Sequence, residues 1–422
     1  MEWWEDRVAN GLAKAGGGYI SQEQIQKALA QDVAIYADPA RATQDDLWPG
    51  IWALAATLSR QFSGHVFISA GLEAPLAAPG ALSSRCIFTD SPPICLLMIG
   101  LGQMPPVTVG IQWSGDTRAE RIAVGKNLEG SECATPWGAF AIAGYLAYAL
   151  LASAAGLAPH KERFCKTTIT IGPPELSNFD VSSYSLAILG LGHLGNAYLA
   201  LLFFIAKRNG GFPRLMLLDR GEGGGNLEIA NWKTHILLPE TSTWTGVLKT
   251  VVFGELMKAH GAIVNIDPTT LDWGWKRPST HPPVALLGFD SFDARRMAMA
   301  AGYDWLIDSG MGMEFDRPRI TWHSLPSDRG IGKMLFGKKP NGDKFQIPMD
   351  SPLAKSLDEV ADPCGWVRLF HGISAAAPSM GIVAAAYSWV EVRKVLDGIR
   401  VPLCGSAYLW SPGIPASIEL LR

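Results

Sequence analysis

The stretch Ser185-Leu-Ala-Ile-Leu-Gly190-Leu-Gly192-His-Leu-Gly195 is compatible with few folds. Its apolar run suits a strand buried on both faces, and the glycines suit a tight turn opening into a helix. A second apolar run ends at Asp219. Strand, glycine turn, helix and a strand closing on a carboxylate form the opening βαβ unit of a nucleotide-binding sheet. The glycines let backbone approach a phosphate, the helix N-terminus offers N–H groups and a positive dipole, and the carboxylate can bond ribose hydroxyls. Gly190, Gly192, Gly195 and Asp219 are therefore candidate nucleotide contacts. They specify a nucleotide without saying which.

The remaining bulk properties narrow the class. A chain of 422 residues exceeds one ordinary core and has room for two domains. Hydrophobic residues make up 48% and charged ones 18%, so much of the chain is expected to be buried. A net charge of −3 without a basic block argues against nucleic acid as a partner. The opening Met1-Glu-Trp-Trp-Glu-Asp lacks a basic and then apolar leader, so a cytoplasmic location is expected. Residues 137–158 carry no charge and could cross a bilayer by length. They are mostly Ala and Gly with Ser153 and two tyrosines, and lack basic anchors on the N-terminal side. The expectation is a buried helix between layers, not a membrane contact. Six scattered cysteines (Cys86, Cys95, Cys133, Cys165, Cys364, Cys404) without a CxxC pair fit a reducing compartment and give no zinc signature.

Along the chain, residues 22–37 read as an amphipathic helix after a Ser21 cap, and 52–62 as a second. Segments 66–70, 95–102 and 107–113 read as buried strands. In the second half the pattern is strand 185–189, helix 194–207, strand 214–218, helix about 244–260 and strand 284–288. Alternating strands and helices mean a doubly wound, mostly parallel α/β sheet. Ala134-Thr-Pro136-Trp-Gly138 and Ala377-Pro378-Ser-Met-Gly381 each lead into an Ala-rich helix. That echo predicts two related halves, although Pro/Gly turns before such helices are common in themselves. We expect domains at 1–165 and 178–422, the first without a GxGxxG loop. The Gly/Lys/Pro-rich stretch 326–363 reads as a functional or disordered loop.

Four further features follow in order: Leu227-Glu-Ile-Ala-Asn231, Gly246-Val-Leu-Lys249, Asp290-Ser-Phe-Asp-Ala-Arg295 and Ile307-Asp-Ser-Gly310-Met-Gly312. With ATP as ligand, Lys249 at a helix start could neutralise a phosphate, and Asp290 at a strand end could hold Mg2+. Asn231 could bond a phosphate oxygen or orient the metal shell, or simply cap a turn. An NAD-dependent oxidoreductase would account for the glycine loop and Asp219 but leave Lys249 and Asp290 without roles.

This ordered set resembles the superfamily of ubiquitin-activating and ThiF/MoeB-type adenylating enzymes, over about residues 183–398. The resemblance implies a Rossmann-like ThiF fold preceded by a degenerate Rossmann-like domain. It implies ATP and Mg2+, a ubiquitin-like protein whose C-terminal tail is adenylated, and a bacterial conjugation system with a defence association. Thioester transfer to a cysteine and a conjugating enzyme as a further partner also follow from it. On that reading Lys249 and Asp290 are catalytic, Cys364 in Ala361-Asp-Pro-Cys364-Gly-Trp is the candidate acceptor, and Arg60 in Leu58-Ser-Arg60-Gln-Phe reaches the ATP from the first half. The association of halves is either an internal pseudo-dimer or a homodimer. The chain departs from the family pattern at His193, which replaces a loop glycine, at the insertion Gly221-Glu-Gly-Gly-Gly225, and at Thr234, which replaces an arginine. These departures keep open a non-catalytic scaffold that binds a ubiquitin-like partner. Adenylation of a small carboxylate without an acceptor thiol also stays open.

Overall fold

The structure is a computed structural model describing residues 7–15, 19–37, 47–69, 78–101, 111–118, 121–124, 135–157, 167–170, 180–221, 224–240, 242–311, 319–326, 351–352, 377–408 and 411–418. Helices α1 (Arg7–Ala15) and α2 (Gln22–Leu29) open the chain. The Ser21 hydroxyl accepts the Gln24 N–H at 3.2 Å, as expected of the cap. The helix expected over 22–37, however, stops at Leu29, and Val33–Ala37 is a strand, β1, buried along its whole length. A short, fully buried apolar run gives no period from which helix and strand can be told apart.

The first sheet continues through α3 (Trp48–Gln61), β2 (Val66–Ser69), β3 (Cys86–Phe88), β4 (Leu97–Leu101), β5 (Ile111–Arg118) and β6 (Arg121–Val124). Helix α4 (Pro136–Ala154) and β7 (Thr167–Thr170) complete it. Its strand order is β3-β2-β1-β4-β5-β6-β7, parallel as far as β5 and antiparallel beyond. The second sheet is built from β8 (Ser185–Leu189), α5 (His193–Asn209), β9 (Arg214–Leu218), α6 (Lys249–Ala259) and β10 (Ile263–Asp267). It continues with β11 (Val284–Leu287), α7 (Phe292–Ala300), β12 (Trp305–Met311), β13 (Arg319–Pro326), α8 (Pro378–Leu396), β14 (Cys404–Tyr408) and β15 (Ser411–Ile418). Its order, β10-β9-β8-β11-β12-β13-β14-β15, repeats the first with one strand added, and the parallel and antiparallel pairings recur in the same places. The fold is thus α/β with two doubly wound, mostly parallel sheets. Strand β10 was not foreseen: Ile263 and Asn265 face solvent at the sheet edge, which hides the buried run. Helix α6 starts later than expected, because Ser242–Trp244 forms its own 3-10 turn and Gly246 adopts φ 83°.

Helices α4 and α8 are the centre of the molecule. Each has 19 residues, follows the sixth strand of its half and has a proline in its first turn. Tyr145 and Tyr387 are each the tenth residue counted from those prolines. Their buried hydroxyls lie 3.1 Å apart. A residue that touches its own counterpart lies on the axis relating the two halves, so the halves form an internal pseudo-dimer. Gly144 lets the helices approach: a Cβ there would stand 2.7 Å from the Ser379 carbonyl oxygen and 2.8 Å from Ile382. Helix α4 is the one helix among the described residues long and apolar enough to cross a membrane, and it is almost wholly buried inside the fold. Trp52 of α3, Phe140 of α4 and Phe204 of α5 join the halves, with ring centroids 5.5–6.4 Å apart. One continuous core therefore runs through both sheets.

Gly144→Val should lower the unfolding free energy by more than about 2 kcal/mol in urea denaturation, since backbone on the facing helix cannot move aside. Wild-type stability in that variant would mean that α4 and α8 do not cross at this point.

Candidate functional site

In a sheet of this topology ligands sit at the carboxyl ends of the strands, where the order reverses between β8 and β11. That edge carries the glycine loop. Gly190 follows β8 with φ 86°, a conformation that favours glycine, and its N–H donates to the Leu218 carbonyl at 2.7 Å. A Cβ on Gly195 would run into the Gly190 carbonyl oxygen, and one on Gly288 would stand 2.8 Å from the Gly195 nitrogen. Gly190, Gly195 and Gly288 therefore pack backbone on backbone. Gly288 fell at the end of the strand expected over 284–288; the observed strand stops at Leu287, and the glycine at that strand end was the signal for the close packing. Gly192 differs, having no neighbour closer than 3.8 Å to a Cβ placed on it. It is the N-cap of α5, whose first turn has no side-chain cap. The N–H groups of a helix start of this kind can meet an anion. His193 keeps the loop intact by packing against α8, where Gly381 makes room for its ring.

The candidate polar residues divide into two groups. Asp219 is buried at the end of β9, where Oδ2 accepts the Leu191 N–H at 2.6 Å and Oδ1 accepts the Arg220 N–H at 2.7 Å. It ties the strand end to the glycine loop, and each oxygen retains a further lone pair for a ribose hydroxyl. Asn231 is also buried, and its Oδ1 accepts the Glu228 N–H at 2.7 Å. The structure thus shows it in the turn-capping role. Thr234 is fully buried with its hydroxyl 3.0 Å from His235 Nδ1, so this position presents no charge to a ligand. Arg60 is fully buried and donates to the carbonyls of Ala56, His235 and Leu238. Burial pushes its guanidinium down to about 9. The resemblance sent Arg60 to the nucleotide; in the structure its donors hold backbone.

Lys249 and Asp290 form the other group. Helix α6 runs back along the sheet to deliver the chain to β10, so its first residue, Lys249, lies toward the carboxyl edge. Lys249 is half-buried, and no partner for its ammonium is described. Asp290 is exposed just past the end of β11, likewise without a described partner. Arg295 explains how Asp290 is presented. Its Nε and Nη2 donate to the Phe289 carbonyl at 3.0 and 2.8 Å, and Nη1 donates to the buried Asp308 at 3.1 Å. The arginine of the Asp290-x-x-x-x-Arg295 motif therefore anchors the loop from behind. Among the described residues no three His, Cys, Asp or Glu side chains group as a metal site. A lone carboxylate still suits Mg2+, which takes one or two carboxylates and completes its shell with phosphate oxygens and water. Cys364 and Gly312 lie outside the described residues.

Residues 183–399, just over half of the chain, match the family described as the BilD C-terminal domain. The chain belongs to that family. Its glycine loop, Lys249 and Asp290 all fall inside the matched region of the BilD domain. The bacterial E1-like protein BilD of Collimonas sp. (strain OK412) is 25% identical over 236 residues, 56% of this chain and 48% of the relative. The chain spans about half the length of that curated relative. Among solved structures, E. coli MccB with MccA is similar at 15% identity and a TM-score of 0.35, over 63% of this chain and 66% of that one. E. coli tRNA N6-threonylcarbamoyladenosine dehydratase, TcdA, with AMP is similar at 15% identity and a TM-score of 0.33, over 52% of this chain and 89% of that one. Both likenesses are too slight to add to the geometry.

Asp219→Ala would leave the Leu191 N–H without its partner at a buried site. It should cost about 1–3 kcal/mol in denaturant unfolding, and Asp219→Asn, which retains one acceptor, should cost less. Equal losses in the two variants would show that the bond to the loop is not what Asp219 contributes.

Proposed function

We propose that this chain uses ATP to adenylate the C-terminal carboxylate of a ubiquitin-like protein. The observation that carries the proposal is the carboxyl edge of the second sheet. An uncapped helix N-terminus opens there beside Gly192, and Lys249 and Asp290 lie along it with no described partners. In the reaction an oxygen of the substrate carboxylate attacks the α-phosphorus of ATP. The bond from that phosphorus to the bridging oxygen breaks, and pyrophosphate leaves. The N–H groups of α5 and the Lys249 ammonium stabilise the charge that builds on the phosphoryl oxygens. Asp290 would hold Mg2+, which supplies Lewis-acid neutralisation of the phosphates.

The E1-like description of the Collimonas relative supports a ubiquitin-like protein as substrate. On this reading the Cys364 thiolate then attacks the acyl carbon, AMP leaves, and a conjugating enzyme takes the acyl group onward. The proposed setting is the cytoplasm, where ATP is abundant. A second reading is a scaffold that retains the fold without catalysis. It is favoured by Asn231, Thr234 and Arg60, all of which are turned to structural roles.

Calorimetric titration with ATP and Mg2+, with NAD as the alternative ligand, tests the proposal. Wild type should bind ATP in a Mg2+-dependent way, and Asp290→Ala and Lys249→Ala should each bind at least about tenfold more weakly, the effect of one lost charge-assisted contact. Binding of NAD alone would remove the adenylation reading, and binding of neither ligand would leave the scaffold. Pyrophosphate exchange with a candidate modifier should survive in Cys364→Ala, whereas a thiol-sensitive adduct should be lost. An adduct that persists would rule out Cys364 as the acceptor.

A further inference from the structure

Two consecutive residues at the end of α3, Arg60 and Gln61, reach from the first half into the second. The Arg60 side chain is fully buried, and each of its three nitrogens donates to a carbonyl: Nη1 to Ala56 at 2.6 Å, Nε to His235 at 3.1 Å and Nη2 to Leu238 at 2.7 Å. Its guanidinium carbon stands 4.0 Å over the Trp232 ring. Among the described residues no carboxylate bonds it; Glu240, the acid that acts on it from nearby, is held by Ser83 and Ser84. Burying a cation without an ionised partner is costly, so this arrangement is built against a desolvation penalty.

What Arg60 holds leads directly to the glycine loop. His235 and Leu238 close one turn, the Leu238 N–H donating to the His235 carbonyl at 3.1 Å. Between them the Leu237 N–H donates at 3.3 Å to Oδ1 of Asn196, the residue that follows Gly195 in the first turn of α5. Gln61 reaches the same helix end by another route. Its Nε2 donates to the Ser379 hydroxyl at 2.8 Å, in the first turn of α8, and the nearby Gly381 lies against His193, the first residue of α5.

We propose that Arg60 and Gln61 are positioning residues through which the first half sets the glycine loop of the second. Arg60 acts by way of the 235–238 turn and Asn196, and Gln61 by way of α8 and His193. A half that has no glycine loop of its own thereby fixes the direction in which the N–H groups of α5 point. The inference rests on the nucleotide reading for its purpose, but its structural content stands apart from that reading.

Hydrogen exchange and nucleotide affinity, measured on the full chain well below its unfolding transition, test it together. Arg60→Met keeps the apolar stem and removes the donors. It should accelerate exchange about tenfold at amides in 190–197 and 235–238, leave 253–267 at the wild-type rate, and weaken ATP binding about tenfold, the scale of one lost charged hydrogen bond. Arg60→Lys, which retains one cationic donor, should recover part of both effects. Acceleration confined to 235–238, acceleration spread over the whole chain, or faster loop exchange with unchanged ATP affinity would each overturn the proposal. If Arg60→Met does not fold, Ser379→Ala removes only the Gln61 route and should still accelerate 190–197; wild-type exchange there would also overturn it. A wild type that binds no ATP refutes the proposed function, and the exchange pattern then decides the inference by itself.

Discussion

The crossing of α4 and α8 is the contact on which the rest of the structure depends. A helix that is apolar on every side is stable only when surrounded, and α4 is surrounded by helices of both halves. Small residues bring the two backbones together at Gly144, and the Tyr145–Tyr387 bond satisfies at the axis the only hydroxyls that either ring carries. With the crossing in place, the main core is shared by both sheets, and each sheet keeps only a smaller buried cluster of its own. Trp52, Phe140 and Phe204 pack as one group although they come from three helices and both halves.

The same duplication shows why one half carries the candidate site. Helices α3 and α5 occupy equivalent places, each joining the first two strands of its sheet. At α5 the entry is Gly192, with open space beside it. At α3 the entry is Leu47, Trp48 and Pro49, all buried, so core side chains occupy the place where an anion would meet N–H groups. The first half has exchanged a ligand-facing helix start for a packed one. Its contribution comes instead from the other end of α3, where Arg60 and Gln61 enter the second half.

Much of this was legible in the sequence where the signal was local and strong. The run 185–219 gave the βαβ unit because a buried strand, glycines and a closing carboxylate are all short-range features. The uncharged stretch after Pro136 pointed to a buried helix, and the matching Pro/Gly turns pointed to two related halves. Legibility failed at Val33–Ala37 and Ile263–Asp267. The first strand is buried too completely to show a period, and the second lies at an edge where alternate residues need not be apolar. The close packing of Gly288 was not foreseen because its partners, Gly190 and Gly195, are adjacent only once β8 and β11 pair.

The sequence by itself determined the fold class, the buried helix after Pro136 and the end of the sheet that carries the glycine loop. Periodicity and glycine placement are properties of neighbours along the chain. Tertiary structure alone decided which polar side chains of the motifs are engaged and which are left over. Asp219 meets Leu191 across 28 residues, and Arg60 meets His235 across 175. A side chain's hydrogen-bond partners are whatever the folded backbone brings within about 3 Å, and no local pattern records that distance. Asp219 and Arg60 are accordingly drawn into holding the scaffold, whereas Lys249 at a helix start and Asp290 just past a strand end have no described partners.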